Sequence, residues 1–250
     1  MKIAILSDIH GNKIALDAAL EDIEAVGVDE YWVLGDIVAL GPDPVGVSQR
    51  LATLQNCHMI RGNTDRYVVT GDRPPPFLQD LNADVEKISA FAEITATFAW
   101  TQGAVTAAGW FDWLSKLPLE IQKVLPDGTQ CLLVHASPGK DDGPGMGKDT
   151  SDIDISKLLK ETATDLICVG HTHQAFDRKV EKWRILNPGS ISNPLPPVLQ
   201  ASYMILDVSM NGYHVEHRKV DYDRDQVISQ VQAIKHPGAD FIIKRMRGLP

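Results

Sequence analysis

Short apolar runs alternate with stretches of helical periodicity through the first quarter of the chain. Residues 2–6, 31–34 and 57–60 are largely apolar and have the length of buried strands. The segment after the first run predicts an amphipathic helix, with apolar positions at i, i+3, i+4 and i+7: Leu16, Ala19, Leu20 and Ile23. A second helix is predicted where Asp43 can cap it and Pro44 can begin it. Three strand and helix units in succession predict parallel strands whose carboxyl ends share one edge of a sheet.

Each of these predicted strands ends in polar residues that can bind a metal. Asp8 and His10 follow the first strand, Asp36 the second and Asn63 the third. Side chains two positions apart on an extended chain point the same way, so Asp8 and His10 can bind one cation from one side. An isolated Asp and His pair of this kind is more often a strand-end turn. A metal site is favoured because similar residues recur downstream.

The second half of the chain repeats this arrangement. A predicted hairpin over residues 119–134 ends at His135, and a strand over residues 166–169 ends at His171 and His173. Residues 139–152 carry four glycines and predict a loop beside His135 that either contacts substrate or is a solvated linker. The other predicted elements are a helix at 153–162, strands at 183–186, 203–208 and 213–220, and a closing helix at 224–235.

Residues 74–117 differ from the segments on either side. They begin with three consecutive prolines and continue with aromatic residues at helical spacing, which predicts two or three helices. We expect a single domain over residues 1–250 in which 74–117 form a helical insertion. The aromatic residues could stack on a nucleobase, but at this spacing we expect them to pack against the core.

Composition narrows the possible partners. The net charge of −9 argues against binding of long nucleic acid, whereas small anionic substrates remain compatible with it. No stretch approaches the ~20 apolar residues of a membrane helix, and the short apolar run near Met1 does not resemble a signal peptide. We therefore expect a cytoplasmic protein without a membrane partner; its oligomeric state stays open. Two further expectations are reduced core cysteines at positions 57, 131 and 168, and a solvated tail at Lys244, Arg245 and Arg247.

Seven oxygen and nitrogen donors lie at predicted strand ends: Asp8, His10, Asp36, Asn63, His135, His171 and His173. Such a set suits two divalent cations that share one carboxylate and leave positions open for water and substrate. Mixed oxygen and nitrogen ligands admit manganese, iron, zinc, nickel or cobalt, of which we favour manganese. The remaining histidines are interpreted as structural or solvated: His58, His214, His217 and His236.

Five motifs in this order resemble the signature of the calcineurin-like metallophosphoesterase superfamily: Asp8-Ile9-His10, Gly35-Asp36, Gly62-Asn63-Thr64-Asp65, His135 and Gly170-His171-Thr172-His173. The resemblance spans residues 8–173. The later sequence Asn187-Pro188-Gly189-Ser190 is similar to a turn in small bacterial and archaeal members. The implied fold is an α/β, four-layer α-β-β-α sandwich of two mixed sheets.

The resemblance also implies a role for each matching residue. Asp8, His10 and His173 would bind one metal, Asn63, His135 and His171 the other, and Asp36 both. A hydroxide held by both metals would then attack phosphorus. The implied catalytic residues are Asp36, Asn63, Thr64 and Asp65. Asn12 and the amide of Gly189 are candidates for phosphate contact, with turn formation as the alternative role of each.

Thr64 departs from the family pattern, because many members have histidine at this position, followed by an acidic residue. A threonine hydroxyl does not ionise near neutral pH, so Thr64 cannot act as a general acid. Asp65 then lacks its usual partner and is left to cap the following segment or to bind Arg66. We expect activated diesters or phosphoanhydrides to be cleaved better than alkyl monoesters.

The leading hypothesis is an enzyme, a dinuclear metal-dependent phosphodiesterase that hydrolyses small phosphate esters. A nucleotide or dinucleoside-polyphosphate hydrolase is the first alternative, which the aromatic segment could serve. The second is a binding or scaffold protein that keeps the fold with weak or no catalysis. The complete donor set argues against the scaffold, and Thr64 is its main support.

Overall fold

A computed structural model describes residues 1–82, 84–193 and 195–249. The strands are β1 Lys2–Leu6, β2 Glu30–Val33, β3 Cys57–Met59, β4 Glu120–Val124, β5 Gln130–Val134, β6 Leu166–Cys168, β7 Phe176–Val180, β8 Trp183–Asn187, β9 Ala201–Ser209 and β10 Gly212–Val220. The helices are α1 Lys13–Val26, α2 Pro44–Ala52, α3 Asn63–Thr70, α4 Val85–Ala107, α5 Phe111–Ser115, α6 Asp152–Leu159, α7 Arg224–Ala233 and α8 Ala239–Met246.

The strands form two mixed sheets of five strands each. The first has the order β10-β9-β1-β2-β3 and the second the order β4-β5-β6-β8-β7. In the first sheet β1, β2 and β3 are parallel, and β9 runs antiparallel to β1. In the second sheet β5, β6 and β8 are parallel, with antiparallel β4 and β7 at the edges. The predicted α/β fold with two mixed sheets is confirmed.

Alternation along β1 shows how the layers pack. Ile3 and Ile5 belong to a core that also contains Cys131, Leu133 and Cys168 of the second sheet. The neighbouring residues of β1 face the other way, into a core shared with α1 and α2. Because successive side chains of a strand point to opposite faces, β1 is buried on both sides. The second sheet is covered on its outer face by α6.

Two elements escaped the sequence prediction. Strand β7 is an edge strand in which charged residues separate its two apolar ends, so its pattern resembles a loop. Helix α8 covers much of the segment interpreted as a solvated tail, and that interpretation is corrected here. Ile242 and Met246 of α8 are buried against α7, whereas Lys244 and Arg247 are exposed. All three cysteines are free, but only Cys131 and Cys168 are buried in the core as predicted, whereas Cys57 is half-buried.

The segment 74–117 contains α4 and α5 and a short turn of 3₁₀ helix at Leu78–Asp80, while residue 83 lies outside the described residues. Phe98 of α4 is buried, and its ring meets the edge of Tyr67 at a centroid distance of 5.6 Å. Packing against the core is thus the role of this aromatic residue. That 74–117 form an insertion within a single domain stays a prediction. Among the described helices, none is both long and apolar enough to cross a membrane.

Candidate metal centre

All seven predicted donors meet beyond the strand ends, and we call these residues the donor cluster: Asp8, His10, Asp36, Asn63, His135, His171 and His173. Asp8 and His173 approach at 3.4 Å between Oδ1 and Nε2, and the Nε2 atoms of His10 and His173 are 3.2 Å apart. The ligand atoms of Asp8, His10 and His173 lie within 4.8 Å of one another. This spacing is small enough for one cation to contact all three.

The other donors gather on the opposite side of Asp36. Asn63 Oδ1 lies 3.1 Å from His135 Nε2 and 3.0 Å from His171 Nδ1. Asp36 Oδ2 is 3.4 Å from His135 Nε2 and 3.7 Å from His10 Nε2, so this carboxylate adjoins both groups. Asp8 also approaches this side, since the ligand atoms of Asp8, Asp36 and His135 lie within 4.8 Å of one another. The division of the donors between two ions stays a prediction.

The backbone of the donor cluster is held in an uncommon conformation. Five of the seven donors have positive φ angles, at Asp8 56°, His10 48°, Asp36 53°, His171 66° and His173 58°. Residues other than glycine adopt this left-handed region at a cost of order 1–3 kcal/mol each, and such strain concentrates at functional sites. Bends directly after the strands turn these side chains into the shared space rather than along the sheet.

Each of the four histidines has one ring nitrogen on a backbone carbonyl and the other facing the cluster. The bonds are His10 Nδ1 to Ala39 O at 3.2 Å, His135 Nδ1 to Leu34 O at 2.6 Å, His171 Nε2 to Gly143 O at 2.7 Å and His173 Nδ1 to Asn193 O at 2.8 Å. A carbonyl oxygen can only accept a hydrogen bond, so each outer ring nitrogen must carry a proton and donate the hydrogen bond. In the neutral ring the inward nitrogen then offers a lone pair, which is the orientation that metal-binding histidines require.

Burial and charge shift the ionisation of the cluster strongly. Burial lowers the pKa of His10 to about 4, so its ring is neutral at pH 7. Burial also disfavours the charged form of His135, but the adjacent Asp36 carboxylate outweighs this and raises the pKa of His135 to about 10. Burial would raise the pKa of Asp36, yet His135 and His10 hold it well below its usual range. Burial would likewise raise the pKa of Asp8, but His173 holds it below its usual range, so the cluster keeps two carboxylates charged inside the protein.

These residues fit bound divalent cations. Asp8 is fully buried and Asp36 is 3% exposed, and within the described residues their ion-pair partners are histidines only. Buried carboxylates need a compensating charge, because desolvation of an unpaired ion is costly. The facing nitrogens of His10 and His173 likewise need a shared proton or a cation between them. A metal on each side of Asp36 would satisfy both requirements.

The sequence model of the calcineurin-like phosphoesterase superfamily domain matches residues 1–211. The chain belongs to the calcineurin-like phosphoesterase superfamily. Membership confirms the resemblance seen in the five motifs. Members of this family depend on bound metal.

Three proteins illustrate what the chain is similar to. Protein MJ0912 of Methanocaldococcus jannaschii is 29% identical over 236 residues, which are 88% of this chain and 88% of that protein. The crystal structure of protein PH1004 of Pyrococcus horikoshii OT3 superposes with a TM-score of 0.81 at 23% identity, over 98% of this chain and 97% of that chain. The symmetrical bis(5'-nucleosyl)-tetraphosphatase of Erwinia tasmaniensis is 32% identical over 71 residues, only 28% of this chain and 26% of that enzyme.

Thr64 and Asp65 support the backbone around Asp36. The Thr64 amide donates to Asp36 Oδ1 at 2.9 Å. Asp65 is 1% exposed, and its carboxylate accepts from the amides of Ile37, Val38 and Gly62. Of the two roles expected for Asp65, capping of the following helix is the one observed. Arg66 instead forms ion pairs with Asp72, Asp141 and Asp142.

Asn12 and Gly189 both take part in local hydrogen bonds at turns. Asn12 Oδ1 accepts from the Ala15 amide at 3.1 Å, and its Nδ2 donates to Ser192 at 3.2 Å. The Gly189 amide donates to Asn187 Oδ1 at 2.9 Å. These contacts favour turn formation at both positions, and phosphate contact by either residue stays a prediction.

Sequence reasoning missed two groups that orient the donors. The Gly143 carbonyl holds His171, and it lies in the segment 139–152, where Asp141 is buried and paired with Arg61 at 2.9 Å and Arg66 at 3.0 Å. Tyr67 donates to Asp142, and its hydroxyl neighbours the side-chain amide of Asn63. Every residue has a backbone carbonyl, so the sequence gives no signal for this group. Tyr67 and Asp142, by contrast, lie close in sequence to the recognised motifs.

Proposed function

We propose that this chain is a phosphodiesterase that hydrolyses small phosphate esters with two divalent metal ions bound in the donor cluster. One observation supports this most directly. Two groups of three ligand atoms lie within 4.8 Å of one another, those of Asp8, His10 and His173 and those of Asp8, Asp36 and His135. Each of the four histidines also has its outer nitrogen on a backbone carbonyl. A pocket shaped by packing alone would not need this orientation of every ring.

The assignment of residues follows the two groups around Asp36. Asp8, His10 and His173 would hold one ion, Asn63, His135 and His171 the second, and Asp36 would contact both. When bound, such ions lower the pKa of a coordinated water and neutralise charge on the phosphoryl group. We favour Mn²⁺, with iron, zinc, nickel and cobalt as alternatives that the ligands also admit.

The protein residues then supply binding and orientation. Asn63 contributes a neutral oxygen, which adds no negative charge near the phosphate. The Thr64 amide fixes Asp36, and Asp65 fixes the loop from which Asp36 projects. Because the Thr64 hydroxyl cannot supply a proton as a general acid, we expect the leaving group to depart unassisted. Esters of acidic alcohols such as phenols would therefore react faster than alkyl monoesters.

A dinucleoside-polyphosphate or nucleotide hydrolase is the second candidate. The 71-residue similarity to a bis(5'-nucleosyl)-tetraphosphatase supports it, but that similarity covers about a quarter of either chain. A scaffold without catalysis would not need two charged carboxylates buried beside four oriented histidines.

The test combines metal content with turnover. Protein loaded with Mn²⁺ should contain two ions per chain and should hydrolyse bis(4-nitrophenyl) phosphate faster than alkyl phosphates or nucleotides. Chelation should abolish turnover, and Mn²⁺ should restore it. His135→Ala, or Asp36→Ala, should lose both metal and activity with little change in fold. His214→Ala is the matched control, because this histidine is exposed on β10, and it should retain both.

Three outcomes would contradict the proposal. Full activity of His135→Ala would refute the ligand assignment. Preference for diadenosine tetraphosphate over every diester would favour the second candidate. Full metal loading without turnover of any phosphate ester would favour a binding protein.

A further inference from the structure

A cavity of about 660 Å³ opens beside the donor cluster, at Asn63 and Thr64, and we call it the side pocket. Its other walls come from α4 and α8 and from Leu40 in the loop after β2. Cavities of ~300–1,000 Å³ are the size that holds small organic molecules. If the phosphorus atom of a substrate lies at the donor cluster, an organic group attached to it could therefore extend into the side pocket.

The walls of the side pocket are mainly apolar. Ile94 and Phe98 line it from α4, and Phe241 and Ile242 line it from α8. Leu40 completes the wall with a φ angle of 70°, a conformation unusual for leucine. Such a surface favours the binding of apolar groups, because their burial removes apolar area from water.

The charged groups on the walls are few and of mixed sign. Glu93 and Asp240 are acidic, and Lys244 is basic. Binding of a polyphosphate chain calls for a cluster of cations, whereas here two carboxylates oppose one ammonium group. The side pocket therefore suits a neutral organic group better than additional phosphates.

Thr64 joins the side pocket to the donor cluster. It is 6% exposed, and within the described part of the chain its hydroxyl oxygen has no hydrogen-bond partner. Nearly all buried polar groups in proteins have one, so an unpartnered hydroxyl on the wall of a cavity points to a group that enters from the cavity. A phosphoryl oxygen would accept this hydrogen bond.

We infer that the side pocket binds an apolar organic substituent of the substrate. The Thr64 hydroxyl donates to an oxygen on the phosphorus atom to which this substituent is attached. This assignment rests on the proposed function and narrows it. The substrate class is then a phosphodiester with at least one aliphatic or aromatic group, rather than a polyphosphate.

The test uses phosphonates, because their carbon–phosphorus bond is not hydrolysed and binding can be measured directly. Methyl-, propyl-, butyl- and phenylphosphonate are titrated into Mn²⁺-loaded protein by calorimetry. Each buried methylene should strengthen binding about fourfold, so butylphosphonate should bind up to about sixtyfold more tightly than methylphosphonate. Phenylphosphonate should bind more tightly than methylphosphonate as well.

Variants locate the effect in the side pocket. Ile94→Trp should fill the cavity and abolish the dependence on chain length while leaving methylphosphonate affinity unchanged. Phe241→Ala, at a side chain 37% exposed, removes one wall and should weaken the dependence without a folding risk. Ile88→Trp is the matched control on α4, because Ile88 is 43% exposed and lies outside the cavity wall. Thr64→Val should weaken all the phosphonates about tenfold without altering the dependence on length.

The outcomes separate this assignment from the proposed function. If methylphosphonate binds and longer chains bind no better, the side pocket is not the binding site for the substituent and the assignment is overturned. An unchanged dependence in both Ile94→Trp and Phe241→Ala would overturn it as well. If no phosphonate binds and no diester is hydrolysed, the proposed function itself fails.

Discussion

The donor cluster and the side pocket meet at Asn63 and Thr64, yet they are built by different means. In the donor cluster, directional hydrogen bonds fix each ring, and five donors occupy the left-handed region of the backbone. In the side pocket, helical side chains contribute apolar surface, and its one strained residue other than glycine is Leu40 among the described residues.

This difference separates the chemistry from the choice of substrate. Hydrogen bonds and metal ligation demand defined distances and angles, so small displacements within the donor cluster should be costly. Apolar contact depends on buried area, so the side pocket should tolerate substitutions that keep its volume. Changes at the cluster are expected to alter metal binding, and changes at the pocket to alter selectivity.

The largest effect is expected from Gly62→Ala, which acts on the cluster alone. A Cβ at this position would lie 2.8 Å from Cγ of Asp36 and closer still to its Oδ1 and backbone nitrogen. Asp36 or the backbone must move, so we expect a loss of about 3 kcal/mol in the free energy of unfolding and loss of metal binding. Urea unfolding of metal-free protein and metal analysis measure the two quantities.

Gly103→Ala is the matched control for this substitution. Gly103 lies within α4, and a Cβ there would meet nothing within 4 Å. Alanine in the interior of an exposed helix should raise the free energy of unfolding by about 0.5–1 kcal/mol and leave metal content unchanged. Equal effects of the two substitutions would show that the space around Asp36 is not tightly constrained.

Tyr67→Phe tests a residue that belongs to both regions, since Tyr67 lines the side pocket and its hydroxyl neighbours the side-chain amide of Asn63. Removal of the hydroxyl frees Asn63 to rotate and to present its nitrogen to the histidines. Loss of such an outer contact typically lowers metal affinity about 10- to 100-fold. Competition with a chelating dye measures the affinity of each Mn²⁺ site.

Tyr203→Phe provides the comparison for Tyr67→Phe. The Tyr203 hydroxyl donates to Asp22 at 2.6 Å, away from the donor cluster, so its loss should cost about 1 kcal/mol of stability and no metal affinity. If both variants keep the affinity of wild-type protein, Tyr67 does not position Asn63.

Sequence was most informative where a polar residue directly follows an apolar run. All seven donors were identified in this way, and the family resemblance supplied their expected division between two ions. The groups that fix them were not identified, because carbonyls such as those of Leu34 and Gly143 belong to no residue type. Asn12 and Gly189 show the converse, since they make local hydrogen bonds that the sequence does not reveal.

The same limit explains why the side pocket was not predicted. Its walls combine residues from α4 with residues from α8, more than a hundred positions apart in the sequence. The composition of α8 also predicts a solvated tail rather than a packed helix. Lys244, Arg245 and Arg247 dominate the local composition, although Ile242 and Met246 of the same helix are buried. Apolar residues of this kind acquire a role only when distant helices are brought together.

The smallest effect at neutral pH is expected from His236→Gln, which concerns the start of α8 beside the side pocket. His236 Nδ1 accepts from the Gly238 amide at 3.0 Å, its ring packs on Trp100, and burial lowers its pKa from 6.5 to about 4. The unfolded chain thus binds a proton near pH 6.5 and the folded chain only near pH 4. Below pH 6.5 the proton favours unfolding, so the contribution of this histidine to stability should fall progressively toward pH 4.

Glutamine does not titrate, so the variant should show a shallower pH dependence of the free energy of unfolding than wild-type protein. Urea unfolding between pH 7.5 and 4.5 in the presence of a chelator measures it, with exposed His214→Gln as control. Identical slopes in all three proteins would show that His236 does not link acidity to the packing of α8.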